Sequence, residues 1–389
     1  MDERGKRKKD RQPKACFYCN ESGHIKANCP KKKQDERNRS LKCFKCGEIG
    51  HFQRNCTQLH SRSTHDGSTC GVSNGKPRKE TPPVEYSVTS DTKKITCVSG
   101  ASAKAIRSDD EAKAEHTQFP PFIDTHCHLE YVFTRYHHQS TFQAFMEANK
   151  YQENFDGCIS TFCDPAAFSS FGVWQDLLME PNIWGAFGIH PHNAKYYYSS
   201  GPDLEDKILK CIEHPKCVAY GEIGLDFADH SPSDQQTQRE VLVRQLQLAI
   251  SFSKPLLFHC RDADDELLHI ISEYVPREWK IHLHCYTGSE STAISFLENF
   301  PNLYFGVCGN VTYRKNNDLR QMVTNLPTQR LVIETDAPYN TPANISRNCR
   351  FSHPAHAFYV AKEIAALKKA DLSEVLITIR ENTKKLYSI

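Results

Sequence analysis

The segment Asp124-Thr125-His126-Cys127-His128 sets two imidazoles two residues apart. It follows the apolar run Phe119 to Ile123, which reads as a short buried strand. Side chains alternate faces along a strand, so residues i and i+2 share one. His126 and His128 can therefore reach the same point at its end, where converging imidazoles hold a divalent cation. A pair of hydrogen-bonded structural histidines is the other reading, and the choice depends on what other strands deliver there. A second chemistry is written further upstream. Cys16, Cys19, His24 and Cys29 follow the spacing C-x2-C-x4-H-x4-C, and Cys43, Cys46, His51 and Cys56 repeat it. Three thiolates and one imidazole close a tetrahedral zinc site. So short a segment buries no core, so the ion supplies the folding free energy. Two structural Zn2+ are expected there.

Further polar residues end the apolar runs downstream. Gly188-Ile189-His190-Pro191-His192, Gly221-Glu222-Ile223-Gly224-Leu225-Asp226 and His259-Cys260-Arg261 are three such ends. His284-Cys285-Tyr286-Thr287-Gly288-Ser289 and Glu334-Thr335-Asp336-Ala337-Pro338 are two more. Four imidazoles and two carboxylates hold two cations only if a carboxylate bridges them, and Glu222, on the central run, is the natural bridge. Bridged cations about 3.5–4 Å apart suit in-line displacement at phosphorus.

The elements that must position these groups are eight apolar runs. They are Phe122–Asp124, Gly157–Phe162, Ile183–Ile189, Cys217–Ile223, Pro255–His259, Lys280–His284, Leu303–Val307 and Leu331–Glu334. Between them lie helical patterns such as Leu242, Leu246 and Ala249, or Val360, Ile364 and Leu367. Alternating strands and helices from residue 119 onward predict a (β/α)8 barrel, a fold whose active sites sit at the C-terminal strand ends. An open doubly wound sheet is disfavoured because no Gly-rich phosphate loop follows the first strand.

This ordered set resembles the TatD-type deoxyribonucleases of the metal-dependent hydrolase superfamily. The end of the chain, with His353-Pro354, Arg380-Glu381-Asn382-Thr383 and Leu386-Tyr387-Ser388, looks most like the animal subgroup called TatD DNase domain containing 2. The resemblance implies one cation held by His126, His128, Glu222 and Asp336, and another held by Glu222, His259 and His284. It implies that His190 contacts substrate phosphate. It also implies Mg2+-supported, 3′-to-5′ hydrolysis of DNA, while the histidine-rich ligation itself suits Zn2+ or Mn2+. Asp336 is the candidate general base, and Arg261 joins His190 as a neutraliser of phosphate charge. RNA or a hybrid as substrate, an amidohydrolase acting on a small amide or ester, and a binding protein on a relic barrel are the alternatives. The knuckles resemble the CCHC modules of retroviral nucleocapsid and cellular RNA-binding proteins. Phe17 with Ile25, and Phe44 with Phe52, occupy the stacking positions of that family, and Lys31 is among the phosphate contacts.

Charge supports a polyanionic partner. Of the 389 residues, 49 are Lys+Arg and 47 Asp+Glu, a net charge of +2. Residues 1–60 alone carry 16 basic residues against 7 acidic, and the remainder 33 against 40. A basic arm on an acidic body attracts nucleic acid. The expected organisation is a basic disordered arm (1–14), knuckles at 15–30 and 42–57, a flexible linker (58–118) and a metallohydrolase barrel (119–389), monomeric in itself. The charged start has no apolar run after it, and no segment reaches the roughly 18 apolar residues of a membrane span. With 17 cysteines and no signal segment, a reducing nuclear or cytoplasmic setting is expected rather than secretion.

A base–aromatic stack contributes about 1–3 kcal/mol, so Phe17→Ala and Phe44→Ala should each weaken binding to single-stranded oligonucleotides roughly 5- to 150-fold. The loss should barely depend on salt, whereas Lys31→Ala should lower the salt slope. Salt titrations followed by fluorescence anisotropy check both.

Overall fold

Each of the eight apolar runs becomes a strand. The computed structural model describes residues 119–168, 173–200, 202–345 and 349–389. The arm, knuckles and linker, and with them Phe17, Ile25, Lys31, Phe44 and Phe52, lie outside the described residues. The strands are β1 (Phe122–Cys127), β2 (Phe155–Phe162), β3 (Ile183–Phe187), β4 (Cys217–Asp226), β5 (Leu256–Arg261), β6 (Ile281–Leu283), β7 (Leu303–Val307) and β8 (Leu331–Ile333). They are parallel and pair in sequence order from β1 to β8. All ten residues of β4 are buried, as expected of a parallel strand covered on both faces.

The ring closes between β8 and β1 at the end that carries the polar residues. Cys127 pairs in parallel with Ala337. The His128 N–H donates to the Ala337 carbonyl at 2.8 Å, and the Asp336 N–H to the His126 carbonyl at 2.9 Å. Asp124 ties the same seam with its side chain. Its Oδ1 accepts the Thr335 N–H at 2.9 Å, and its Oδ2 accepts the Thr335 hydroxyl at 2.6 Å. The acid of the first motif is thus a closure residue.

Helices fill the connections: α1 (Leu129–Tyr136), α2 (Phe142–Ala148), α3 (Val173–Met179), α4 (Ala194–Ser200), α5 (Pro202–Ile212) and α6 (Gln235–Ala249). They continue with α7 (Asp264–Tyr274), α8 (Glu290–Asn299), α9 (Asn317–Asn325), α10 (Ala357–Lys368) and α11 (Leu372–Tyr387). Local chemistry sets their starts. Asp234 caps α6 by accepting from the Thr237 N–H, and Ser289 caps α8 by accepting from the Thr292 N–H. The serine that ends the His284 motif is therefore a helix cap. No helix among the described residues is long and apolar enough to cross a membrane.

Helix α11 brings Leu386 and Tyr387 into the cluster formed by Ile159, Ala186, Ala219, Leu257 and Val332. These apolar groups fill the interior on the side away from the polar strand ends. Because Leu386 is fully buried, Leu386→Ala should cost about 2–5 kcal/mol. That loss should lower the denaturant midpoint with little change in slope, read by urea unfolding.

Candidate metal centre at the barrel mouth

The strand ends gather the polar residues around one buried carboxylate. Glu222 is 2% exposed, and its two oxygens face two different sets of imidazoles. On one side Oε2 lies 3.6 Å from His126 Nε2 and 3.8 Å from His128 Nε2. Asp336 Oδ1 completes that set, 3.5 Å from each of the same nitrogens, and the two nitrogens are 3.3 Å apart. On the other side Oε1 lies 2.9 Å from His259 Nδ1 and 3.2 Å from His284 Nε2. His190 Nε2 also approaches Oε1, at 3.6 Å.

These spacings are informative. Ligand atoms about 2.0–2.2 Å from a tetrahedral ion are about 3.4 Å from one another. All five of these separations are longer than the roughly 2.7–3.2 Å of an ordinary hydrogen bond and scatter about that value. The donor set therefore fits a divalent cation.

The far nitrogens give a second test. A ligating histidine donates its other N–H to an oxygen, which fixes the tautomer and aims the lone pair. His128 Nδ1–H donates to the Thr161 carbonyl at 3.0 Å. His259 Nε2 faces Asp226 Oδ2 at 3.3 Å, and His284 Nδ1 faces Glu334 Oε1 at 3.4 Å. All three thus aim the other ring nitrogen at the cluster, where it could ligate once its proton leaves. His190 is wired the opposite way. Its Nδ1 accepts the His192 N–H at 3.1 Å, so in the neutral ring Nε2 carries the hydrogen. It is built to donate to an anion, not to ligate.

Several of these supports were not singled out by sequence reasoning. Gln238 and Gln245 lie seven residues apart on α6, two turns along one face. Gln238 accepts from the Asp226 N–H and donates to the Asp226 carbonyl, both at 2.7 Å. Gln245 clamps Ile189 in the same manner, at 2.8 and 3.1 Å. Asp226 is also bonded by His192 Nε2 at 2.7 Å. Glu334 is fully buried; it accepts from the Cys285 N–H and lies 3.0 Å from His282 Nε2, and His282 Nδ1 meets the Tyr387 hydroxyl at 2.5 Å. Gly306 makes room for it, since a Cβ there would stand 2.5 Å from the Glu334 carboxylate. An amphipathic count cannot distinguish these polar core residues from surface ones. The only signal was polar side chains interrupting otherwise apolar runs.

Asp336 sits in the left-handed region at φ 53°, a conformation that Asp tolerates better than most residues. Asn340 donates to its Oδ2 at 2.8 Å, leaving Oδ1 to face the histidines. Arg261 lies farther out and is exposed, with one guanidinium nitrogen 3.5 Å from His230. The cluster opens into a cavity of about 470 Å3, also lined by Tyr131, Cys163, His192, Arg261 and Tyr339.

Electrostatics follow from burial and pairing. Desolvation pulls His126 down to about 4, helped by the charge of His284. It pulls on His128 too, but Asp336 and Glu222 outweigh it and lift that ring to about 9. Burial opposes the charge on Glu222, yet His284, His190 and His259 hold its carboxyl well below the usual range. Desolvation also opposes the charge on Asp336, and hydrogen bonds from His126 and His128 overcome it. The carboxylates are charged before any cation arrives.

Comparison with known proteins reaches the same barrel. The family model for TatD related DNase matches residues 123–388, and the zinc knuckle model matches residues 14–31 and 41–58. The chain is 42% identical over 271 residues to the 3'-5' RNA nuclease TATDN2 of Homo sapiens, a match covering 69% of this chain and 35% of that relative. It thus spans about a third of that relative's length. It is 30% identical over 211 residues to the 3'-5' ssDNA/RNA exonuclease TatD of Escherichia coli, covering 54% of this chain and 79% of the relative. The crystal structure of a hydrolase TatD family protein from Entamoeba histolytica shares the fold, with a TM-score of 0.60 at 23% identity over 69% of this chain and 98% of the other.

The charge states give a testable linkage. At pH 7 a ring with a pKa of about 4 is already neutral, whereas one at about 9 carries a proton that a cation must displace. Filling the position of His126 and His128 should therefore release about one proton near neutral pH. Affinity should rise with pH until His128 is neutral and fall as pH drops below that. Titration calorimetry in buffers of different ionisation enthalpy counts the proton.

Proposed function

The chain belongs to the TatD related DNase family, and from that premise we propose that it is a divalent-metal-dependent 3′-to-5′ exonuclease of single-stranded nucleic acid. The observation that carries the reading is Glu222, whose two oxygens face two separate ligand sets. His126, His128, Asp336 and Glu222 Oε2 would hold one cation. His259, His284 and Glu222 Oε1 would hold the other. The donor types suit Mg2+, Mn2+ or Zn2+; when bound, such ions would supply an activated water near neutral pH and neutralisation of phosphate charge.

The chain's own residues do the rest. Asp336 is ionised, and its Oδ1 faces the cluster, placed to take the proton of the attacking water. His190, kept neutral chiefly by burial, offers Nε2–H to a non-bridging phosphate oxygen. Arg261 neutralises charge at the rim, with no carboxylate bonded to it among the described residues. Tyr131 and Tyr339 pack against His128, with ring centroids 5.4 and 6.4 Å from it. Their remaining faces suit an unpaired terminal base. A single strand threads such a narrow mouth more readily than a duplex, and an end more readily than an interior bond.

The human relative is named for RNA and the bacterial one for single-stranded DNA and RNA. We therefore place single-stranded RNA beside the DNA expected from sequence as a substrate. The two knuckles, outside the described residues, would hold the strand and leave cutting to the barrel. A hydrolase of small amides or esters has no use for such knuckles.

The test is a set of 5′-end-labelled single- and double-stranded RNA and DNA oligonucleotides. Single strands should shorten stepwise from the 3′ end, and a chelator should stop the reaction. Glu222→Ala should lose about two bound cations and nearly all turnover. Wild-type metal content in that variant would sink the bridge, and cleavage only at internal bonds would sink the exonuclease reading.

A further inference from the structure

Cys163 follows the last residue of β2 and is 6% exposed. Its Sγ lies 3.6 Å from Glu222 Oε2, the oxygen that faces His126 and His128. Cys163, His128 and Glu222 offer ligand atoms that all lie within 4.8 Å of one another, and the three line the same cavity. With a metal–sulfur distance of about 2.3 Å and a metal–oxygen distance of about 2.1 Å, the S···O edge of a five-coordinate site, Cys163 added to the four residues above, is about 3.1–3.8 Å. The thiol stands where a ligand would, on the side from which substrate enters.

We propose that Cys163 is a conditional metal ligand: a thiophilic divalent cation such as Zn2+ or Cd2+ recruits its sulfur beside His128 and Glu222, whereas Mg2+ leaves it a thiol. The inference rests on reading this cluster as a metal centre. Soft thiolate ligands select zinc and cadmium, and hard cations take oxygen donors and water. On recruitment the S–H bond breaks, the proton leaves to the solvent, and a sulfur lone pair forms the metal–sulfur bond; no oxidation is involved. The sulfur then occupies the cavity-facing position that water and phosphate oxygen need. A zinc-loaded centre is therefore closed to substrate, and the protein's activity falls as free zinc rises.

The experiment uses the full chain loaded with Co2+, an optical stand-in for zinc. Cobalt in the knuckles contributes equally to the parent and to Cys163→Ser or Cys163→Ala, so the difference spectrum isolates the barrel. With about four ions bound per chain, two in the knuckles and two in the barrel, the parent should show an extra sulfur-to-cobalt charge-transfer band in the near ultraviolet. Zinc inhibition of Mg2+-supported turnover, each protein measured against its own zinc-free rate, should need roughly tenfold or more zinc in both variants. About four ions bound with no difference band, or equal zinc inhibition, overturns the role of Cys163 and leaves the centre standing. Only about two ions bound per chain means the barrel takes no cobalt, and then the centre and this inference fall together.

Discussion

A charged carboxylate buried at the centre of the barrel mouth constrains everything around it. Glu222 is 2% exposed, and an unpaired charge there would cost several kcal/mol. The chain surrounds it with His126 from β1, His128 from just past β1, His259 from β5 and His284 from just past β6. In the metal-free protein protons offset part of that cost, since His128 and His284 are both raised by the carboxylates they face. The same arrangement that holds a proton between imidazole and carboxylate holds a cation once the proton leaves.

Holding several imidazoles in register requires that each be fixed from behind, and this is where much of the buried polar chemistry goes. Asp226 backs His259, Glu334 backs His284, and the Thr161 carbonyl backs His128. These backing groups are fixed in turn by main-chain clamps from Gln238 and by the space left at Gly306. The chain of contacts from Glu334 through His282 to Tyr387 ties the mouth to the last helix. The C-terminal helix thus has two jobs, filling the interior with Leu386 and anchoring the support of His284.

The strand ends were legible because parallel strands buried on both faces read as unbroken apolar runs, and a polar residue closing such a run stands out. The eight runs, their order and the barrel followed from that. The roles inside the motifs were less legible. Asp124 and Ser289 sit in the same motifs as the histidines, yet one closes the β1–β8 seam and the other caps a helix. Nothing in residue type separates a closing aspartate from a ligating one. The distinction between His190 and its neighbours also lies beyond spacing, because it depends on which ring nitrogen the main chain of His192 engages. Gln238 and Gln245 read as an ordinary polar stripe on a helix until the fold turns that stripe inward.

Charge counting connects these parts to the substrate. Glu222, Asp226, Glu334 and Asp336 are all held below the ordinary carboxylate range by the imidazoles around them, against the opposing pull of desolvation. Four negative charges would match two divalent cations, so on the proposed reading a filled centre would be close to neutral with its imidazoles uncharged. On the proposed reading a phosphodiester would add one negative charge, and the attacking water another as it loses its proton. Neither is met by the inner cluster, whose balance is already struck. That would leave the excess to Arg261, a fixed cation at the rim, and to His190, a neutral donor beside Glu222. Placing the cation outside the cluster would keep it from competing with bound metals for Glu222. The order of the site's own groups, with Glu222 buried at the centre and Arg261 exposed outside it, accords with that balance.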